Sequence, residues 1–392
     1  MLKKVIMSDL GEIYTGNTPS KKNNEYYESN DIMFIKPDIM SFDIENIEES
    51  NEYISEKARD KARIVPANSL LVSCIGNIGK LAINKEEASF NQQINAIVHN
   101  ENIVSSKYLA YLLKYNQKRL EAIANAPVVP IINKTQFSNF EVLVHENLEN
   151  QKKIVEVLDK AQELIDKRKE QIKAMDELVK LRFIEMFGDI SRNSKEWDIT
   201  KLDELVDVVG GYAFKSTEFV DEGIPVLKIG NINAGYFKPT NLMFWTRDEK
   251  LDKYLIKPND LVISLTGTVG KDDYGNVCIM GNDYEEYYLN QRNAKLDIKN
   301  QKLLNKYYLT YALKVSEVKK RLTGISRGVR QANIANKDIQ NLELPIPQIE
   351  LQNQFADFVK QVEKLKSQME TSLKELEDNF NSLMQKAFKE LF

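Results

Sequence analysis

Histidine and cysteine are nearly missing from this chain of 392 residues, with two of each, and there are only two tryptophans. Both histidines, His99 and His145, fall in the first half. Neither has a partner that recurs in the second half, so both are expected to be surface residues. Cys74 and Cys278 sit in strand-like apolar runs far apart, which argues against a framework disulfide and for a reducing cytoplasm. Cys/His metal spacing is absent, as is any nucleophile–base constellation. There is no Asn/Asp-Pro-Pro-aromatic signature of an amino-methyltransferase and no Gly-rich fingerprint for its cofactor. No apolar run is long enough to span a bilayer, and the N-terminus lacks a signal-peptide core. The chain also lacks a positive balance: 54 basic residues against 58 acidic ones give a net charge of −4. Any nucleic-acid contact must therefore rest on locally gathered charge.

What the sequence does contain is helical periodicity. Between Gln151 and Phe187, apolar residues return every three or four positions: Ile154, Leu158, Ala161, Ile165, Ile172, Met175, Val179 and Met186. Arg168 and Arg182 interrupt this stripe, and Leu164, Leu178, Leu181, Phe183 and Phe187 widen it. The spacing keeps one seam on one side of a helix, the pattern that winds two helices together. At 1.5 Å per residue such a helix is about 50 Å long, too long for one face of a compact domain. A partner is present in Phe355, Val359, Val362, Met369, Leu373, Leu376, Phe380, Leu383 and Ala387.

Each helix closes a longer unit that occurs twice, offset by roughly 200 residues. Phe34-Ile35-Lys36 answers Val226-Leu227-Lys228, and Ser73 to Lys80 answers Ser264 to Lys271. Asn91-Gln92-Gln93 answers Asn290-Gln291-Arg292, Tyr108 to Lys114 answers Tyr308 to Lys314, and Leu148 to Gln151 answers Ile349 to Gln352. The expected order is a mixed α and β globule (1–147), a helix (148–189), a second globule (190–346) and a second helix (347–392). If the helices pair along their length, connectivity makes them antiparallel, with a globule at each end and an internal two-fold axis.

Several short motifs bear on chemistry. Gly76-x-x-Gly79-Lys80 and Gly267-x-x-Gly270-Lys271 have two residues between the glycines where a nucleotide-binding loop has four. A tight turn between strands is the plainer reading, with Lys80 and Lys271 placed to meet a phosphate. Gln92, Gln93, Gln291 and Arg292 are paired amide and guanidinium candidates for base edges, or else caps on strand ends. Lys314, Lys319, Lys320, Arg321, Arg327, Arg330 and Lys337 gather where Glu317 is the only acid. A solvated helix face accounts for the first four; Arg327 and Arg330, in a loop that carries Gly324 and Gly328, favour DNA contact, with Gln331 beside them. The matching stretch Asn125 to Pro130 carries no charge.

These residues resemble the specificity subunits of Type I restriction–modification enzymes over nearly the whole chain. The resemblance rests on Gly16-Asn17-Thr18-Pro19-Ser20-Lys21 and Asp31 to Lys36 in the first unit. In the second it rests on Gly211-Tyr212-Ala213-Phe214-Lys215-Ser216, Gly223 to Ile232, Ser264 to Lys271, and Leu344-Pro345-Ile346-Pro347 leading to Glu350 and Gln352. The first unit departs by lacking the proline pair and the basic glycine loop. The resemblance implies two α/β target-recognition domains separated by spacer helices packed as an antiparallel coiled coil. Each domain would read half of a split site in double-stranded DNA, with the coil setting the spacing and docking two modification subunits. Lys21, Asn77 and Lys215, in the shared motifs, join the candidate DNA contacts. S-adenosylmethionine, ATP and magnesium would belong to the modification and restriction subunits, leaving this chain non-catalytic and without a cofactor. The competing reading is a coiled-coil scaffold carrying two protein-binding modules, which the net acidity favours.

Overall fold

The computed structural model describes residues 2–124, 129–324 and 331–389, with the side chain of Gln331 left out. The chain forms two compact units, residues 1–169 with 371–392 and residues 170–370. Each contains one globule and one part of each long helix.

In the first unit a five-stranded sheet runs in the order Gly11–Thr15, Ile94–His99, Leu70–Ser73, Leu81–Asn84, Ile44–Ile47. A four-stranded sheet follows the order Tyr53–Ile54, Ile32–Ile35, Ala88–Phe90, Ile64–Val65. Leu70–Ser73 and Ile32–Ile35 are buried at every position, as the apolar runs Leu70-Leu71-Val72 and Ile32 to Ile35 require of central strands. Leu2–Ile6 pairs with Glu141–His145, returning the chain to its start just before the central helix.

The second unit repeats this plan. One sheet runs Val206–Gly210, Asn293–Ile298, Leu261–Ser264, Val277–Ile279, and the other Met243–Trp245, Ile224–Leu227, Tyr287–Leu289, Leu255–Ile256. Ile199–Lys201 pairs with Glu343–Pro345. Two differences stand out. The edge strand Ile44–Ile47 has no counterpart among the described residues, and a ribbon of Thr266–Thr268 with Gln331–Asn333 replaces the single bridge Ile75 to Ile131.

The central helix spans Leu148–Phe187 and the C-terminal helix Ile349–Phe388. Pro345 and Pro347 precede the second, whose start at Ile349 follows from the missing amide donors and restricted backbone. Gly188 ends the first with a left-handed φ of +73°, its amide bonded to the Ile184 carbonyl at 2.8 Å. The helices pack antiparallel. In the first unit Leu158 and Ile165 of the central helix share a core with Phe380, Met384 and Phe388. In the second, Val179, Phe183, Met186 and Phe187 share one with Phe355, Val359 and Val362. Ring centroids of Phe187 lie 4.8 Å from Tyr308 and 5.4 Å from Phe355. Each such buried ring contributes about 1.5–3 kcal/mol. The seam is narrower than the apolar count suggests. Leu164, Leu178 and Leu181, read as part of it, are 54%, 43% and 64% exposed, because a single partner helix covers only one side.

Among the described residues no helix is long and apolar enough to cross a membrane. Both cysteines are free and buried, and burial pushes each thiol up to about 12. The histidines are not simple surface residues. Burial lowers the pKa of both, and the His145 ring nitrogen Nδ1 lies 2.8 Å from the Tyr108 hydroxyl.

Candidate nucleic-acid interface

Three segments distant in sequence meet at one edge of each globule. The first is the loop after the opening strand. In the first unit the Gly16 amide donates to the Ile94 carbonyl (3.1 Å) and the Asn17 amide to that of Phe90 (3.0 Å). A Cβ on Gly16 would lie 2.2 Å from the Asn91 carbonyl oxygen, so only glycine permits this approach. Gly211 repeats it, with a would-be Cβ 2.3 Å from the Asn290 oxygen.

The second segment is the amide-rich turn. The Asn91 side chain accepts from the Gln93 amide (3.1 Å) and donates to Gln93 Oε1 (2.9 Å). Asn290 likewise accepts from the Arg292 amide (3.2 Å). The capping reading thus describes Asn91 and Asn290, while Gln92, Gln291 and Arg292 project outward, exposed. Thr18 donates to Gln92 Oε1 at 2.8 Å, tying this turn to the first loop.

The third segment is the glycine turn. The Gln93 carbonyl accepts from the Cys74 amide (2.7 Å), and the Arg292 carbonyl from that of Leu265 (2.8 Å). Both hold the strand end from which the turn departs. Gly76, Gly79 and Gly270 have φ of +76°, +85° and +79°, conformations that side chains disfavour. Ser73 Oγ closes the first turn, donating to the Asn77 carbonyl (2.5 Å) and accepting from the Lys80 amide (2.9 Å). In the second, Asp273 accepts from the Thr268 amide (2.8 Å) and hydroxyl (2.9 Å). These bonds and the nearby Lys271 hold the Asp273 carboxyl below its usual range.

The candidate side chains fare differently at this edge. Asn77 and Lys271 are exposed on their turns, and Gln93 is half-buried. Lys80 turns inward and donates to the Pro37 carbonyl at 2.9 Å. Lys21 lies 3.9 Å from Glu52, and Lys215 lies 3.3 Å from Glu218. Arg327 and Arg330 lie outside the described residues, as do Asn125 to Val128 of the uncharged stretch. The backbone of Gln331 pairs with Thr268, anchoring the end of the basic loop beside the glycine turn. Part of the basic stretch is structural rather than a solvated face. Lys319 is only 9% exposed, with its ammonium on Asp272 and on Asn276 Oδ1. Arg321 donates to the carbonyls of Ser191 (2.5 Å) and Glu343 (3.4 Å).

Two further basic positions were not apparent from the sequence. Asn17 bonds the Lys61 carbonyl and the Arg63 amide, each at 2.6 Å, and the Arg63 guanidinium lies over the Tyr14 ring at 5.6 Å. In the second unit Tyr254 lies 5.3 Å from Tyr212, with the Lys253 ammonium 4.9 Å from the Tyr254 ring. These residues stand some 40 positions from the loops they join and belong to no repeated motif. Among the described residues no group of three or more His, Cys, Asp or Glu could hold a metal.

A family model for the type I restriction modification DNA specificity domain matches residues 2–174 and again residues 194–378. The chain belongs to that family. It carries the specificity domain twice, and its role is DNA specificity in a type I restriction–modification system. The MjaVIII type I specificity subunit of Methanocaldococcus jannaschii is 26% identical over 340 residues, covering 81% of this chain and 79% of that protein. The Escherichia coli EcoR124I/EcoR124II specificity subunit is 31% identical over 163 residues, 39% of each chain. Among solved structures, the S subunit from M. genitalium matches with a TM-score of 0.54 at 16% identity, covering 100% of this chain and 97% of its own. A chain from a structural study of type I complex assembly and conformational transition matches at 0.61 and 17%, covering 99% and 97%. At these identities the structural matches speak to the specificity-subunit fold.

Proposed function

We propose that residues 1–147 and 190–346 are two target-recognition domains that each read one half of a split site in double-stranded DNA. Residues 148–189 and 347–392 are the spacers that set the gap between the halves. The observation that carries this reading is the convergence, in both units, of the opening loop, the amide-rich turn and the glycine turn. It presents exposed amides and cations from backbone-fixed positions, which suits groove and phosphate contact. Asn77, Gln92 and Gln93 with Lys21 serve the first domain. Gln291, Arg292, Lys271 and Lys215 serve the second, with Arg327, Arg330 and Gln331 contributing from the basic loop. Lys80 acts on DNA only by releasing the Pro37 carbonyl, so its contribution is the smallest.

The chain itself is non-catalytic and binds no cofactor. Two modification subunits carry S-adenosylmethionine and methylate adenine, and restriction subunits use ATP and magnesium, all in the cytoplasm. Leu178, Leu181 and Ile184 leave an apolar stripe exposed on the central helix, which suits a partner subunit rather than solvent. Binding of the full chain to duplex DNA across a salt series tests the reading. Phosphate contacts impose a steep slope of log affinity on log salt. Arg292→Ala lowers that slope by about one if the arginine meets a phosphate, or relaxes one base of the site if it meets a base edge. Affinity that ignores both salt and Arg292 favours the protein-binding scaffold instead.

A further inference from the structure

Each long helix is fastened to its globule by one buried glutamine near its first turn. Gln151 is 2% exposed and Gln352 0%, unusual for a side chain that normally stays in water. Gln352 Nε2 donates to the carbonyls of Pro347 (2.7 Å) and Leu303 (3.1 Å), and its Oε1 accepts from the Asn305 amide (2.8 Å). Gln151 Nε2 makes the equivalent bonds to His145 (2.7 Å) and Ile103 (2.8 Å). In each unit a single amide therefore grips the segment that leads out of the globule into the long helix and the turn that opens the globule's principal helix. A tyrosine on that helix adds a second tie: Tyr308 donates to the Pro345 carbonyl, and the Tyr108 hydroxyl accepts from the His145 amide.

The leverage at this joint is large. The helix segment within each unit is about 30 Å long at 1.5 Å per residue. A tilt of about 10° at its first turn displaces the far end by about 5 Å, more than the 3.4 Å rise of one base-pair step. A loose joint would blur where each recognition domain sits relative to its spacer.

We propose that Gln151 and Gln352 are positioning residues for gap-length specificity, fixing each recognition domain on its spacer so that half-site separation is read to the base pair. This rests on the bipartite reading proposed above. The two joints are unequal, because Gln151 Oε1 has no hydrogen-bond partner among the described residues whereas Gln352 Oε1 does. The second joint therefore depends more heavily on its glutamine.

The test uses the full chain assembled with its modification subunits. Methylation is measured on duplexes whose gap is the wild-type length or one pair longer or shorter, and on duplexes altered in either half-site. Gln352→Met keeps the side-chain volume and removes all three bonds. Its expected result is a several-fold fall in the ratio of methylation at the proper gap to methylation off by one, with rejection of altered half-sites unchanged. Gln151→Met lowers the ratio less. A folded Gln352→Met complex that keeps the wild-type gap ratio overturns the proposal, as does equal loss of gap and half-site discrimination, the mark of a general structural role. Should Gln352→Met fail to fold, Gln151→Met decides between the same results, since it removes an acceptor that already lacks a partner. A wild-type complex without any gap preference overturns the bipartite reading and this inference with it.

Discussion

Replacing Gly16 with alanine should disable one recognition domain and spare the other. The new Cβ would sit 2.2 Å from the Asn91 carbonyl oxygen and 2.4 Å from that of Phe90, both backbone atoms. Relief requires the loop and the amide-rich turn to part by about 1 Å, since interiors packed at crystal density offer no slack. The bonds from Gly16 to Ile94 and from Asn17 to Phe90, now 3.1 and 3.0 Å, lengthen beyond hydrogen-bonding range under that shift. Two lost backbone bonds cost about 1 kcal/mol each, and overpacking adds about 1–3 kcal/mol, so destabilisation of the first domain is about 3–5 kcal/mol. Thr18, which holds Gln92, is carried away with the loop. Urea denaturation should show the loss in the first domain alone. Methylation by the assembled complex should lose discrimination in one half-site while keeping the other. Gly211→Ala should reverse the halves, because its Cβ meets the Asn290 oxygen at 2.3 Å. Equal stability and unchanged reading of both halves in Gly16→Ala would refute the close approach and its role at the interface.

Acidification should weaken the first domain selectively. Burial lowers the folded pKa of His99 and His145, so the stability they contribute is present above the unfolded value of about 6.5 and is lost as pH falls through the folded values. Thermal melts from pH 7.5 downward should show this loss shrinking in His99→Asn/His145→Asn, while the second domain, which has no histidine, lacks this contribution. Lys319→Met should destabilise the second domain by about 1–2 kcal/mol, a modest figure because its partner Asp272 is solvent-exposed. It should loosen the turn bearing Lys271 and impair one half-site in methylation assays. Leu178→Lys/Leu181→Lys should block assembly with modification subunits in size-exclusion chromatography without shifting the melting of the chain alone, since both side chains already face water.

Periodicity and repetition made the architecture legible. A seam returning at three and four residues over 37 positions specifies a long paired helix regardless of tertiary context, and the prolines at 345 and 347 mark where the second must begin. The glycine turns were equally readable, because positive φ at Gly76, Gly79 and Gly270 is a local demand. The fate of individual cations was not. Lys80, Lys319 and Arg321 look like free charges in a linear reading, yet each is spent on a partner supplied by a distant strand or turn. Apolar count misled in the same way: Leu181 satisfies the helical pattern but lies on the side that the single partner helix leaves uncovered. Arg63 and Lys253 have no signature in the sequence, because an arginine or lysine over a tyrosine is a product of folding and leaves no spacing there.

The most direct test of the central claim is the methylome of a host expressing this chain with its modification subunits, before and after residues 190–346 are exchanged for another recognition domain. The account predicts one split motif with a fixed unread gap, of which the exchange rewrites one half and leaves the other half intact. An undivided motif, or an exchange that rewrites both halves together, would contradict it.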